Sequence, residues 1–427
     1  MQSLYLKLPS LKPVSLAVLG KEINQWNARA YLVGGPVRDI LLKRPIKDID
    51  ILVDGSVEFI GKKIAQKFKG KMVYHPAFMT ACIVLPGERH IDLAAFRKET
   101  YAFPGALPQT QGGVLKDDLS RRDFSINTLV SSLNADDFGR LIDQHGGYAD
   151  LRERKVRVLH DQSFIDDPTR IIRAIRFEQR LGFTLEKETK RLLIAAISKE
   201  LLTQVKGPRL FAEFRRALGE YDVVPCLKRM SSLGILAHFG LENKDLQWSA
   251  LKMVESNKKE VMGKPPYEAY NNWAVHYLAV LLEKMSAARQ TRLIVQFNLT
   301  KQERQLVQRF PTVAQARKFL NKRGLPARNI YKMLSNLRLI EVIHLRLKYD
   351  WRKYKMLFDR YWNLSPQFQL KINGNDLKKM GVQSGELMGR VLQQLRLEKL
   401  DKGLKTKIDE KRAASRIIAS EKRGALG

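Results

Sequence analysis

The first third of the chain carries two hydrophobic periods side by side. Four short apolar runs bounded by glycine or proline have the length and residue types of strands: AYLVGG from Ala30, DIDILVDG from Asp48, TACIVLPG from Thr80 and RHIDLAAF from Arg89. VRDILLK from Val37 and VEFIGKKIAQKF from Val57 place apolar residues three and four apart, which predicts helices between the strands. Between Arg97 and Asp117 both periods vanish. The segment RKETYAFPGALPQTQGGVLKD is rich in Gly, Pro and Gln, and predicts a mobile, irregular functional loop. LIDQHGGYADL predicts a turn or short hairpin.

Beyond it, helical spacing recurs in TRIIRAIRFEQRLGF, ETKRLLIAAIS, PRLFAEFRRAL and MGRVLQQLRLEKL, while the charged stretch after Asp401 is expected to fray. The pattern is therefore α+β: an α/β unit with a mixed sheet, followed by an all-helical remainder.

Charge sharpens the picture. The chain has 76 Lys and Arg against 44 Asp and Glu, a net +32, and such a field attracts polyanions, chiefly nucleic acid. From residue 301 onward there are 30 basic and 11 acidic side chains, so the last third is where a polyanion should lie. The two cysteines, Cys82 and Cys226, have no partner at ligand spacing, which speaks for a reducing compartment rather than a disulfide or zinc framework. Prolines break the N-terminal MQSLYLKLPSLKPVSL, and no window is apolar for long enough to span a bilayer. A cytoplasmic location and no membrane partner are the expectations.

Asp48 and Asp50 lie two apart in one strand, so both carboxylates face the same way. Two such groups repel unless a cation lies between them, and magnesium is the hard, oxygen-preferring ion of phosphate chemistry. Asp92, in HIDLAAF, is placed to add a third oxygen from a neighbouring strand. Upstream, Gly34 and Gly35 separate a strand from a helix and offer a phosphate cradle, to which Arg38 adds a charge-assisted contact. Cradle and metal pair, one helix apart, describe a nucleotidyl-transfer site.

GGPVRD, DIDILV, RRDFSINTL and DDPTRIIRAIRFEQRLGF stand in the order and spacing of the class II tRNA nucleotidyltransferases, the CCA-adding enzymes and their bacterial poly(A) polymerase relatives. The resemblance is clear from Tyr31 to about Phe183. It implies catalytic and metal-binding roles for Asp48 and Asp50, and contacts to ribose and phosphates from Arg121, Arg122, Asp123 and Asn127. It also implies a base-reading motif on Asp166, Asp167 and Arg170. Asp167 and Arg170 are i and i+3, which predicts neighbours on one helical face. An Asp acceptor beside an Arg donor matches the pairing edges of cytosine and adenine and mismatches those of uracil and guanine. Arg173 and Arg176, further along, are expected to reach the triphosphate.

The resemblance implies transfer of C and A from CTP and ATP to the tRNA 3′ end with Mg2+, and no DNA partner. An enzyme adding A alone, a poly(A) polymerase and an inactive RNA-binding relative are the alternatives. Asp166 stands where many CCA-adding members have Glu, which bears on which nucleotide is added. The implied layout is a catalytic head to residue 140, a neck over 141–218, a body over 219–345 and a basic tail over 346–427 that binds tRNA. Arg209 and Glu213, i and i+4, are expected to form a structural ion pair, and Asp143 and Asp150 to act as caps beside His145. Trp351, Tyr354, Phe358, Tyr361 and Trp362 are spaced as core residues.

Overall fold

The computed structural model describes residues 4–9, 14–46, 49–87, 89–264, 267, 270–320, 329, 332–334, 336–349, 370–383, 385–402, 404 and 406–424. Asp48 and the aromatic run 351–362 lie outside the described residues. The chain divides into two compact units, Met1–Gly240 and Leu241–Gly427. Among the described residues no helix is long and apolar enough to cross a membrane.

In the first unit, α1 (Leu16–Gln25) precedes β1 (Ala30–Val33), α2 (Gly35–Leu41), β2 (Ile49–Val53) and α3 (Val57–Lys67). β3 (Lys71–His75), β4 (Thr80–Leu85), β5 (Arg89–Ala95), β6 (Arg97–Thr100), β7 (Gln109–Gly112), α4 (Leu115–Ser120), β8 (Val130–Ser132) and β9 (Leu141–Ile142) follow. The main sheet has the order β3-β4-β5-β2-β1-β8-β9. Only β2 and β5 run parallel within it, which puts Asp50 opposite Asp92 in register. All four expected strands and both intervening helices form where the periods put them.

The segment expected to be irregular is partly ordered. β6 and β7 pair as an antiparallel ribbon, Arg97 opposite Gly112 and Thr100 opposite Gln109. Their residues are nearly all polar, so no apolar alternation announces them. Side chains hold the ribbon instead: Arg97 donates to the Phe78 carbonyl at 2.6 Å and Thr110 Oγ1 to the Ala77 carbonyl at 2.9 Å.

The helical part of this unit comprises α5 (Gly147–Arg152), α6 (Ser163–Asp166), α7 (Arg170–Leu181), α8 (Lys187–Ser198), α9 (Gly207–Leu218) and α10 (Val223–Ser232), with a short parallel pair β10 (Lys155–Val156) and β11 (Thr184–Leu185). Asp143 caps α5 as expected, accepting from the N–H groups of Gly147 and Tyr148 at 2.9 Å. Asp150 is not a cap. It is buried and accepts from Ser125 Oγ at 2.5 Å and Arg157 Nε at 3.0 Å.

In the second unit α11 (Trp248–Val261), α12 (Ala274–Leu282), α13 (Ala287–Gln296), α14 (Lys301–Gln308), α15 (Phe310–Leu320) and α16 (Leu339–Lys348) precede α17 (Gly374–Lys379), α18 (Glu386–Lys402) and α19 (Lys407–Gly424). The terminal stretch does not fray: Ala413, Ala414, Ile417 and Ile418 make an apolar stripe that packs with Leu377, Val391 and Leu395. The buried Glu410 accepts from the N–H groups of Lys371 and Ile372 and pairs with Lys399 at 2.6 Å, so charge as well as packing ties α19 down.

α12 and α16 bury His276 and His344 with their Nδ1 atoms 3.3 Å apart, and His276 Nε2 lies 2.7 Å from the Tyr270 hydroxyl. Burial pulls His276 down to about 3, and burial together with the charge on His276 and on Lys348 pulls His344 well below the usual range. Unfolded histidine binds its proton near pH 6.5, so the unfolded chain takes up more protons below that value. The contribution of this pair is whole above about pH 6.5 and is lost toward pH 3, at roughly 1.4 kcal/mol per pH unit for each fully titrating group. Denaturant melts at pH 7 and pH 5 should show the second unit unfolding earlier at pH 5. In His344→Gln, which cannot charge, the shift should shrink.

Candidate active site

The strand-to-helix turn after β1 favours glycine through its backbone conformation. Gly34 has φ +73°, and a Cβ there would lie 2.9 Å from Arg122 Nη1. Gly35 and Pro36 open α2, with proline suited to the first turn. Gly34 and Gly35 form one wall of a cavity of about 850 Å³.

Nine arginines and six carboxylates line that cavity, an excess of positive charge that suits a polyphosphate. Asp50 lines it, while its register partner Asp92, exposed on the adjacent strand, does not. Parallel neighbours in register project to the same face, so Asp50 and Asp92 share one face of the sheet. Two acidic oxygen donors on neighbouring strands, one of them in the wall of a cationic cavity, fit a hard divalent cation. Among the described residues no group of three His, Cys, Asp or Glu side chains forms a metal cluster.

The arginines divide by their commitments. Asp118, fully buried, accepts from Arg121 at 2.6 Å and from Arg122 at 2.9 Å. Arg38 is buried, donates to Asn127 Oδ1 at 2.7 Å and to Asp39 at 2.9 Å, and lies 5.2 Å from the Phe177 ring centre. Asn127 in turn donates to Asp123 at 2.9 Å, and Asp123 accepts from Arg173 at 2.5 and 2.9 Å. Burial pushes the Asp123 carboxyl up, but Arg173 and the hydrogen bond from Asn127 outweigh it and hold the group below the usual range. Arg38, Asn127, Asp123 and Arg173 thus form one hydrogen-bonded chain within the cavity wall.

Asp167 and Arg170 both line the cavity, but not as neighbours on a helix. Asp167 is extended, at φ −136° and ψ 93°, and α7 begins only at Arg170. Pro168 is the reason, since the residue before proline is pushed out of the helical region. The Asp167 carboxylate accepts from the Thr169 N–H and hydroxyl at 3.1 and 2.7 Å and from Arg209 at 3.1 Å. Arg170 is buried, with Nη1 on Ser163 Oγ and Nη2 on the Arg121 carbonyl, both at 2.7 Å. Guanidinium carries five donors, so these contacts fix its plane and leave N–H groups for a ligand.

Three expectations change. Arg176 does not line the cavity; its guanidinium is taken by Glu213 at 3.0 Å and Glu220 at 2.8 Å. Asp166 does not line it either, and its carbonyl accepts from the Gly105 N–H at 3.4 Å. Arg209 does not pair with Glu213. It reaches the carbonyls of Gly105 and Ala106 at 2.8 and 3.0 Å together with Asp167, while Glu213 serves Arg173, Arg176 and Arg216. Arg44, Arg180 and Arg216 line the cavity and went unnoticed in the sequence, although Arg180 continues the 170, 173, 176 spacing.

The Poly A polymerase head domain family matches residues 30–157, and the probable RNA and SrmB-binding site of polymerase A matches residues 182–243. The chain is 34% identical over 425 residues to the A-adding tRNA nucleotidyltransferase of Geobacter sulfurreducens, covering 97% of this chain and 48% of that protein. It thus spans about half the length of that relative. With the A-adding tRNA nucleotidyltransferase of Halalkalibacterium halodurans it shares 29% identity, over 92% of this chain and 90% of that one. Among solved structures, the Thermotoga maritima CCA-adding enzyme complexed with tRNA(CCA) superposes with a TM-score of 0.61 at 32% identity, over 95% of this chain and 94% of that one. A cationic cavity with Asp50 in its wall, and likeness of this extent to a solved relative, lead to one statement: the chain belongs to the tRNA nucleotidyltransferase family that carries the poly(A) polymerase head domain.

Proposed function

We propose that this chain adds C and A from CTP and ATP to the 3′ end of tRNA without a nucleic-acid template. The observation that supports the reading is an arginine-lined cavity whose wall includes Asp50, Asp167 and Arg170, with Asp92 beside Asp50 in strand register. The tRNA 3′ oxygen attacks the α-phosphorus, the bond to the β-phosphate oxygen breaks, pyrophosphate leaves and the hydroxyl proton passes to solvent. Asp50 and Asp92, with Asp48, are the residues to hold Mg2+, which when bound acidifies the attacking hydroxyl and neutralises phosphate charge.

The chain's own residues position the reactants. Gly34 and Gly35 let the backbone approach the nucleotide, and Arg44, Arg180 and Arg216, each at the cavity wall, face the triphosphate. Asp167, held by Thr169 and Arg209, accepts from the exocyclic amine of cytosine or adenine, while Arg170 donates to the ring nitrogen. Uracil and guanine would set donor against donor and leave buried groups unpaired.

A second reading, addition of A alone, is favoured by one observation: the relatives from Geobacter and Halalkalibacterium, each aligned over more than nine-tenths of this chain, are both named A-adding. Incorporation of labelled nucleotide into tRNA is the test. CTP or ATP should enter, and UTP and GTP should not.

A further inference from the structure

Aromatic rings are scarce in the wall of the arginine-lined cavity. Among the described residues only Tyr101 and Phe177 line it. Phe177 is hemmed in by protein: the guanidinium groups of Arg38 and Arg173 lie 5.2 and 5.9 Å from its ring centre, and the Phe124 ring packs against it edge-on at 5.6 Å. Tyr101 is different. Its hydroxyl donates to Glu99 Oε2 at 3.1 Å, and among the described residues no cation or aromatic ring is stacked on it. Glu99 is itself held, by Arg121 at 2.9 Å and Arg97 at 3.2 Å, so the hydroxyl end is anchored while the residue stays half-buried.

Tyr101 directly follows β6 and opens a loop that is tied down beside Asp167. The Gly105 N–H bonds to the Asp166 carbonyl, and the carbonyls of Gly105 and Ala106 are held by Arg209, the same guanidinium that donates to Asp167. Burial and the charge on Glu99 push the Tyr101 hydroxyl up, and Arg170 and Asp167 are close enough for their charges to act on it too. The one unstacked ring of the cavity therefore stands next to the Asp167–Arg170 pair.

Hydrogen bonds to the edge of a base fix it in its own plane and leave both faces open. Stacking on an aromatic side chain covers a face and raises affinity by about tenfold or more per base. We infer that Tyr101 is the platform for the incoming nucleobase, its ring covering one face of the cytosine or adenine whose edge meets Asp167 and Arg170. The inference rests on the nucleotidyl-transfer reading and deepens it.

Calorimetry on the full chain with ATP, CTP and inorganic tripolyphosphate separates the base from the phosphates. Tyr101→Leu should raise the Kd for ATP by about tenfold or more. The Kd for CTP should rise less, because the two fused rings of adenine offer more surface to stack, and the Kd for tripolyphosphate should stay unchanged. Tyr101→Phe keeps the ring and loses the bond to Glu99, and it should recover most of the ATP affinity.

A residue that only braces Glu99 and Arg121 would behave otherwise: Tyr101→Phe would fail like Tyr101→Leu, and tripolyphosphate would weaken in step with ATP. Either result, or a parental Kd for ATP in Tyr101→Leu, overturns the inference, while labelled ATP incorporation by the parent leaves the functional reading standing. Base-dependent loss of ATP affinity in Tyr101→Leu, without incorporation into any tRNA by the parent, would do the reverse.

Discussion

Asp50→Asn is expected to lose roughly three orders of magnitude in turnover, with the fold and nucleotide binding retained. Asn keeps the volume and the strand propensity of the position but removes one of two adjacent carboxylates, and metal stabilisation of developing charge supplies several kcal/mol. About 4 kcal/mol corresponds to about 10³ in rate. Removing one of two like charges that stand in register relieves repulsion, so the melting temperature should be unchanged or slightly raised. Single-turnover incorporation of labelled ATP, alongside a thermal melt, checks both halves. Near-parental turnover would move the metal site away from β2.

Asp123→Ala is expected to fail in the opposite way, through stability. Asp123 is 8% exposed and holds Arg173 and Asn127, and Asn127 holds Arg38. Its removal leaves a cationic side chain without its anion, which costs on the order of 3–5 kcal/mol for a fully buried pair. The Arg173 side chain is 32% exposed and Glu213 lies 3.5 Å away, so the low end, about 3 kcal/mol, is expected. For a unit of this size that is a fall of about 6–12 °C in melting temperature. Asp123→Asn, which retains hydrogen-bonding oxygen and volume, should fall much less. If Asp123→Ala melts like the parent and instead loses only nucleotide affinity, the hydrogen-bonded chain in the cavity wall is not what Asp123 supports.

The contrast between these two aspartates marks what can be read from a sequence. The strand that carries Asp50 and the Gly34–Gly35 turn were legible because each depends on a local rule: short apolar runs bounded by glycine mark strands, and the positive φ of Gly34 suits glycine. Asp123, Asp166 and Arg176 obey no local rule that reveals their partners. Whether an arginine on α7 faces a ligand depends on Glu213 and Glu220, some forty residues later, and these take Arg176 while leaving Arg180 at the cavity wall.

The β6–β7 ribbon was missed for a related reason. It is held by two side-chain bonds to the Pro76–Phe78 turn rather than by an apolar face, so its period carries no signal. Pro168 was a local signal that went unused: it excludes Asp167 from the helix and so makes it a turn residue in the cavity wall rather than one step of a helical face.

The central claim, template-independent addition of CTP and ATP to tRNA, is tested most directly by offering three acceptors. They end before the CCA, after the first C and after CC, and each is incubated with labelled CTP or ATP. The account predicts that nucleotide enters only from CTP or ATP and only to complete the CCA end. Ordered addition of C, C and A establishes the whole sequence, and ATP alone on the CC-ended acceptor restricts it to the final A. Incorporation of neither nucleotide into any of the three would contradict the account.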